Sequence, residues 1–163
     1  MIVISDTTPI ISLMKVGRLE LLQQLFDIVY IPMAVYKELT ENESYPREAK
    51  IVQECDFLIV ERVENEKSVT ILRNLNGLDA GESEAIILAG EKQSDVLLVD
   101  ENKGRQVAKK MGIAITGTIG ILMQAFDERM LTREDIEECI EHLKESEIRI
   151  SEKLYQILRE HMK

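Results

Sequence analysis

The chain has 163 residues, of which 45% are hydrophobic and 31% charged, the balance of an ordinary globular protein with room for a real core. Its formal net charge of −10 argues against a broad nucleic-acid-binding surface, because phosphate binding depends on Lys and Arg. The two cysteines form no CxxC pair and no apolar run is long enough to span a membrane, so we expect a cytoplasmic protein with neither disulfides nor a signal peptide.

The first half of the chain alternates short β-rich runs with helical segments. Thr8 is placed as an N-cap with Pro9 at the first helical position, which predicts a helix that ends at Gly17. Three β-rich runs predict strands, at residues 2–5, 28–31 and 57–63. Apolar periodicity predicts four further helices, at residues 18–25, 32–40, 46–55 and 67–75.

The second half continues the same alternation. An apolar helix is predicted to begin after Asp79, and the run from Val96 to Val99 predicts the clearest buried strand in the chain. A basic helix, a strand and an apolar helix follow, at residues 102–111, 113–116 and 117–126. Two last helices are predicted, one capped by Thr132 with Asp135 behind it and one that begins at Ser151.

Strands that alternate with helices indicate βαβ units and an α/β fold with a mainly parallel sheet and helices on both faces. No linker or internal repeat divides the sequence. We therefore expect a single domain over residues 1–163, with a core over about 1–126 and a helical extension over about 127–163.

Four acidic residues are predicted to meet at one edge of this sheet. Asp6 and Asp100 each follow a buried strand directly, and the carboxyl ends of parallel strands lie at the same edge, where open α/β sheets bind ligands. Glu38 and Glu82 belong to helices that begin at that edge. An Asp at the end of a strand is also a common helix cap or turn residue, and this structural alternative stays open for each one alone.

A group of four carboxylates would be strongly self-repulsive without a counter-charge. Oxygen ligands with no His or Cys beside them favour Mg²⁺ or Mn²⁺, and such ions can activate water and hold a phosphate. Among the acids around position 82, we expect Glu82 to face the site, Asp79 to cap the helix, and Glu84 to point about 200° away.

Four short motifs stand in order along the sequence: Asp6-Thr7-Thr8-Pro9, Pro32-x-x-Val35-x-x-Glu38-Leu39, Gly81-Glu82-Ser83-Glu84-Ala85 and Leu97-Leu98-Val99-Asp100. Together they resemble the acidic motifs of PIN domains, over about residues 1–126. The resemblance implies a three-layer PIN-like domain, Mg²⁺ or Mn²⁺ as cofactor, and cleavage of single-stranded RNA, as in the toxin ribonucleases of toxin–antitoxin pairs. It makes Asp6, Glu38, Glu82 and Asp100 the metal-site acids and catalytic residues, with Thr7 or Thr8 beside the substrate. The third acid is commonly Asp in the toxins and is Glu here.

Basic residues follow Asp100 closely and include Lys103, Arg105, Lys109 and Lys110. They predict either a solvated helix face or a local patch that binds the RNA backbone. The Gly117-Thr118-Ile119-Gly120 stretch predicts a tight strand-to-helix turn, with close substrate approach as the alternative.

The sequence is compatible with two functions. The first is a metal-dependent endoribonuclease, as the toxin of a toxin–antitoxin pair. The second is a PIN-fold binding module without catalysis in a larger assembly, which the net charge and the Glu at position 82 favour. As partners we expect single-stranded RNA, an antitoxin protein and a second copy of the chain. Leu19, Leu22 and Leu25 would form the antitoxin or dimer seam, unless they belong to the core.

Overall fold

The computed structural model describes all 163 residues and contains one five-stranded sheet. The strands are β1 (Val3–Ser5), β2 (Val29–Pro32), β3 (Leu58–Glu61), β4 (Val96–Leu98) and β5 (Ile115–Thr116). They lie in the order β3-β2-β1-β4-β5, and every neighbouring pair is parallel. The predicted α/β class and all five predicted strands are confirmed.

Ten helices surround the sheet. They are α1 (Thr7–Lys15), α2 (Leu21–Phe26), α3 (Met33–Thr40), α4 (Pro46–Gln53), α5 (Glu66–Asn76), α6 (Ala80–Lys92), α7 (Asn102–Lys110), α8 (Thr118–Asp127), α9 (Arg133–Glu145) and α10 (Glu152–His161). None of these helices has the length and hydrophobicity needed to cross a membrane.

The helix caps agree with the sequence patterns at two ends and differ at one. Asp79 and Thr132 cap α6 and α9 as predicted, and Ser151, predicted as the start of the last helix, is the N-cap of α10. The prediction of Thr8 as the cap of α1 is wrong, since the helix begins at Thr7. Pro9 is the third residue of α1, within the first turn. Proline is tolerated there because the first amides of a helix have no intrahelical hydrogen-bond partner.

The alternation of side chains along the strands produces two cores and therefore three layers. Val3 and Leu98 belong to a core of 26 buried residues on one face. Ile4, Leu97 and Val99 belong to a core of nine on the other face, against α6 and α7. The predicted arrangement with helices on both faces is confirmed.

The last two helices are part of the larger core. Ile136 and Ile140 of α9 and Leu158 of α10 are fully or almost fully buried and belong to the same cluster as β1. The predicted core boundary near residue 126 thus does not coincide with a boundary in the packing.

Of the two alternatives that the sequence leaves open for Leu19, Leu22 and Leu25, the structure favours the core. Leu22 is completely buried, and Leu19 and Leu25 pack against the larger core. The helical spacing of these leucines reflects the buried face of α2 and the turn before it. Leu22 is therefore not available to a partner, whereas Leu19 and Leu25 are partly buried.

Candidate acidic site

The candidate site lies where the direction of strand order changes, between β1 and β4. The two strands are held together at their carboxyl ends, where the Asp6 amide donates to the Leu98 carbonyl at 2.9 Å. Asp6 follows β1 and Asp100 follows β4 after one intervening residue. Glu38 comes from α3, which follows β2, and Glu82 from the first turn of α6. The topology thus brings all four predicted acids to the same edge of the sheet.

Asp6 is a buried carboxyl among other acids. Only 4% of the residue is exposed. Burial raises the pKa of Asp6 to about 8, and the negative charges of Asp79, Glu82 and Glu38 add to this rise. A hydrogen bond from the Thr7 backbone offsets part of it. Without a cation, Asp6 is therefore largely protonated at neutral pH.

Glu82 is the second buried acid and has one oxygen without a partner. Its amide donates to Asp79 Oδ1 at 2.8 Å, and its Oε1 accepts from the Asp79 amide at 3.3 Å, which forms a capping box. Its Oε2 is buried and accepts no hydrogen bond. Burial, followed by the charge of Asp79, raises the pKa of Glu82 to about 7. A buried carboxylate oxygen without a hydrogen-bond partner lowers the stability of the folded protein, and Glu82 Oε2 is such an oxygen.

Two glycines allow the acids to approach closely. A Cβ atom at Gly81 would lie 3.1 Å from Glu38 Oε2 and 3.5 Å from Asp6 Oδ1, so both carboxylates border the start of α6. A Cβ atom at Gly104 of α7 would lie 3.0 Å from Glu82 Oε2. The same Glu38 oxygen accepts from the Thr7 hydroxyl at 2.7 Å.

Asp100 is bound differently. Its Oδ1 accepts from the Thr118 amide and its Oδ2 from the Thr118 hydroxyl, both at 2.7 Å. The Arg105 guanidinium donates to the Val99 carbonyl at 2.9 Å and lies near the same carboxylate. Burial raises the pKa of Asp100, while Thr118 and Arg105 partly offset the rise. The carboxylate joins the β4 end to the start of α8.

The remaining acids around position 82 are oriented as predicted. Asp79 is the N-cap of α6, and Glu84 accepts from the Ala34 amide at 3.1 Å, where it satisfies the start of α3. Ala85, Ile86 and Ala89 are 1% exposed and form the buried face of the helix. Asp79 also acts electrostatically on Asp6 and Glu82, a role beyond the predicted cap.

A family model described as a PIN domain matches residues 2–163. The chain belongs to the PIN-domain family. It has no significant match among curated proteins or among solved structures. PIN domains are generally nucleases that use a divalent metal, so the family supports a nuclease as the general class of activity.

The acids of this PIN domain have the right chemistry for a divalent metal but do not form a closed ligand shell. No three His, Cys, Asp or Glu side chains lie together in a way that could hold a metal ion. The donors at the site are all carboxylate oxygens, which suit Mg²⁺ or Mn²⁺, and Glu82 Oε2 is a buried acceptor with no partner. We conclude that the donor set fits the cation by type.

The predicted RNA-contacting residues fall into separate groups. Thr7 is buried and bonded to Glu38, whereas Thr8 is half-buried. Lys103 and Arg105 lie in the first turns of α7, beside the sheet edge. Lys109 and Lys110 are exposed at the opposite end of the helix, about 10 Å further along its axis at 1.5 Å per residue.

Three residues contact the acids of the site although the sequence did not indicate these contacts. Thr118 binds Asp100, Gly104 makes room for Glu82, and Gly117 makes room for Asp100. The sequence around Thr118 indicated a tight turn or close substrate approach and not a bond to Asp100. All three roles depend on contacts between segments that the sequence pattern does not connect.

Proposed function

We propose that this PIN domain is a divalent-metal-dependent endoribonuclease that cleaves single-stranded RNA, with Mg²⁺ or Mn²⁺ as its cofactor. One observation carries the proposal: the buried Glu82 Oε2 has no hydrogen-bond partner and shares a sheet edge with the buried carboxyl of Asp6. Buried polar groups are usually hydrogen-bonded to the protein, to water or to an ion, and Glu82 Oε2 is the only unpaired buried carboxylate oxygen in this chain. A cation would supply the missing partner.

The proposed ligands are Asp6, Glu38, Glu82 and Asp100. A divalent ion held by these residues would lower the pKa of a water molecule and neutralise charge on the phosphate. The Thr7 hydroxyl fixes Glu38, and the Thr118 amide and hydroxyl fix Asp100. Asp6 and Glu82 must release their protons before they can bind the ion, because their pKa values of about 8 and about 7 leave them partly protonated at neutral pH.

The test is a comparison of two adjacent glutamates. The purified chain should cleave a labelled single-stranded RNA with Mn²⁺ and not with EDTA. Glu82→Gln should lose both this cleavage and the Mn²⁺-dependent rise in melting temperature, which for a bound site grows as RT ln(1 + [L]/Kd). Glu84→Gln keeps an oxygen for the Ala34 amide and should retain both. Loss of the Mn²⁺ response in Glu84→Gln alone would disprove the assignment.

The second candidate is a PIN-fold binding module without catalysis. One observation favours it: no three Asp, Glu, His or Cys side chains lie close enough together to hold a metal ion. In that case wild type, Glu82→Gln and Glu84→Gln would melt at temperatures that Mn²⁺ does not change. The same titration therefore separates the two candidates.

The biological setting that we propose is a cytoplasmic toxin–antitoxin pair. The support is the PIN family itself, whose nucleases bind RNA and often antitoxins. A small reading frame beside the gene, whose product binds the chain and blocks its cleavage of RNA, would establish this role. A neighbouring product that binds without any effect on RNA cleavage would point to another assembly.

A further inference from the structure

Two adjoining cavities form a groove along α5, here called the α5 groove. The larger one has a volume of about 370 Å³ and includes Lys37, Arg62, Thr70 and Arg73 in its lining. The smaller one has a volume of about 240 Å³, shares Thr70 and Arg73 with the first, and extends to Gly77. The groove follows the exposed side of α5, a helix in which only Val69 is buried.

The groove concentrates free positive charge on a protein that is otherwise acidic. Lys37, Arg62 and Arg73 are exposed, and none of them forms an ion pair within the chain. Two carboxylates, Glu66 and Glu84, also line the larger cavity, so its three cations and two anions give a net charge of +1. The lining is therefore net positive in a chain whose net charge is −10.

One end of the groove comes near the acidic site. At the α3 end, Lys37 only precedes Glu38 in sequence, and successive residues of a helix point about 100° apart. At the other end, the Lys103 ammonium lies 3.5 Å from the position that a Cβ atom at Gly77 would occupy. The next residue, Gly104, packs against Glu82 Oε2. A linear polymer bound in the groove would thus leave it close to Glu82.

We propose that the α5 groove binds the sugar–phosphate backbone of single-stranded RNA and leads it past the acidic site, an inference that rests on the proposed nuclease function. Arg62, Arg73, Lys37 and Lys103 are the phosphate contacts. No aromatic side chain lines either cavity, so binding depends on phosphate contacts and not on base stacking. This part of the surface therefore has little base preference and a steep salt dependence.

The experiment measures binding of a labelled 12-nucleotide oligo(U) in EDTA, where no cleavage takes place. Arg62→Gln/Arg73→Gln should weaken binding about tenfold at 50 mM salt and lower the slope of log K against log[salt] by roughly 1.4, since each phosphate contact to a single strand contributes about 0.7. The matched control is Arg47→Gln/Arg149→Gln, which removes two exposed arginines that form no ion pair elsewhere on the chain. The control should bind like wild type.

Several results would overturn the inference. These are the absence of oligo(U) binding by the wild type, an equal loss in both double variants, or a loss confined to Lys109→Gln/Lys110→Gln. Binding of polyglutamate in place of oligo(U) would assign the groove to an acidic peptide and also overturn it. Because binding is measured without metal, oligo(U) capture by a chain that does not cleave RNA would contradict the proposed nuclease and leave the groove assignment supported.

Discussion

Asp6 and Asp100 each stand at the end of a neighbouring parallel strand, yet the rest of the chain surrounds them in opposite ways. Asp100 accepts two hydrogen bonds from Thr118 and has Arg105 beside it. Asp6 faces the charges of three other carboxylates, and its neighbour Glu82 keeps one buried oxygen unpaired. The Asp100 carboxylate thus has hydrogen-bond donors on both oxygens, whereas the acids around Asp6 mainly face one another.

The difference shows which acids are held in place at a cost in stability. A carboxylate with several donors is a stable structural link, and Asp100 joins the β4 end to α8 in this way. Buried acids that repel one another reduce stability unless a cation is bound. We therefore expect a bound cation to stabilise mainly the half around Asp6 and Glu82, and we expect Asp100 to be the proposed ligand that Thr118 already holds in place. Four experiments test this division.

The largest effect is expected for Asp6→Asn. Loss of its charge should reduce Mn²⁺-dependent RNA cleavage by about 100-fold or more, the usual cost of removing a positioned polar group from an active site. Cleavage rates measured at saturating Mn²⁺ check this, with the exposed Asp56→Asn as the control for net charge. Equal activity of the two variants would place the chemistry elsewhere.

The half around Asp100 should be sensitive to added volume. Gly117→Ala should lower the free energy of unfolding by about 2–3 kcal/mol, since overpacking a tight site costs that much. Its Cβ would lie 2.5 Å from Asp100 Oδ1 and 3.2 Å from the Val99 carbonyl. Denaturant melts would measure this loss. Gly90→Ala, in an open position of α6, should instead gain about 0.5–1 kcal/mol.

The half around Asp6 and Glu82 should make the metal-free protein less stable as the pH rises. A carboxyl with a higher pKa in the folded chain binds more protons there, so stability falls between its ordinary and its folded pKa. For Asp6 this window runs from 3.8 to about 8, and for Glu82 from 4.5 to about 7. In EDTA, Asp6→Asn should flatten this fall and be more stable than wild type at pH 8, by about 2 kcal/mol or more at about 1.4 kcal/mol per pKa unit.

Chemical denaturation at pH 5 and pH 8 measures that difference. Asp56→Asn serves again as the control, since its carboxylate is exposed and should leave the pH dependence as in wild type. A wild-type chain whose stability does not fall over this range would show that Asp6 is not held protonated. In that event the two halves of the edge would not differ in the way described.

The smallest effect is expected at the N-cap of α6. Asp79→Ala should cost about 1 kcal/mol at pH 5 through the lost cap. At pH 8 the cost should be smaller, because Asp79 no longer repels Asp6 and Glu82. Ser151→Ala removes a comparable cap from α10 and should cost the same at both pH values. Parallel pH dependence of the two variants would argue against electrostatic coupling at the site.

The sequence predicted the fold more completely than the site. All five strands were found because short buried runs of Ile, Val and Leu repeat between helical segments. The cap at Asp79 and the orientation of Glu84 followed from helix geometry over a few residues. The ligand roles of Asp6, Glu38, Glu82 and Asp100 and the single-domain reading of residues 1–163 stay predictions.

Two features of the structure could not be predicted from the sequence, for the same reason. Leu19, Leu22 and Leu25 have the spacing of an exposed seam, but periodicity does not tell whether a stripe meets its own core or a partner. His161 Nε2 lies 2.7 Å from Asp127 Oδ1, 34 residues away, a contact that no local pattern indicates. Contacts over such separations depend on how the helices dock.

Local pattern therefore determined the parallel α/β architecture, the order of its elements and the presence of an acid after each of two central strands. Periodicity, capping and strand length operate over a few residues and can be read along the chain. The tertiary structure was needed to show that Thr118 donates hydrogen bonds to Asp100, while one Glu82 oxygen has no hydrogen-bond partner. It was also needed to show that Lys37, Arg62 and Arg73 line one groove. Burial and pairing set the energy of a charge, and both arise from segments that meet only after the sheet has formed.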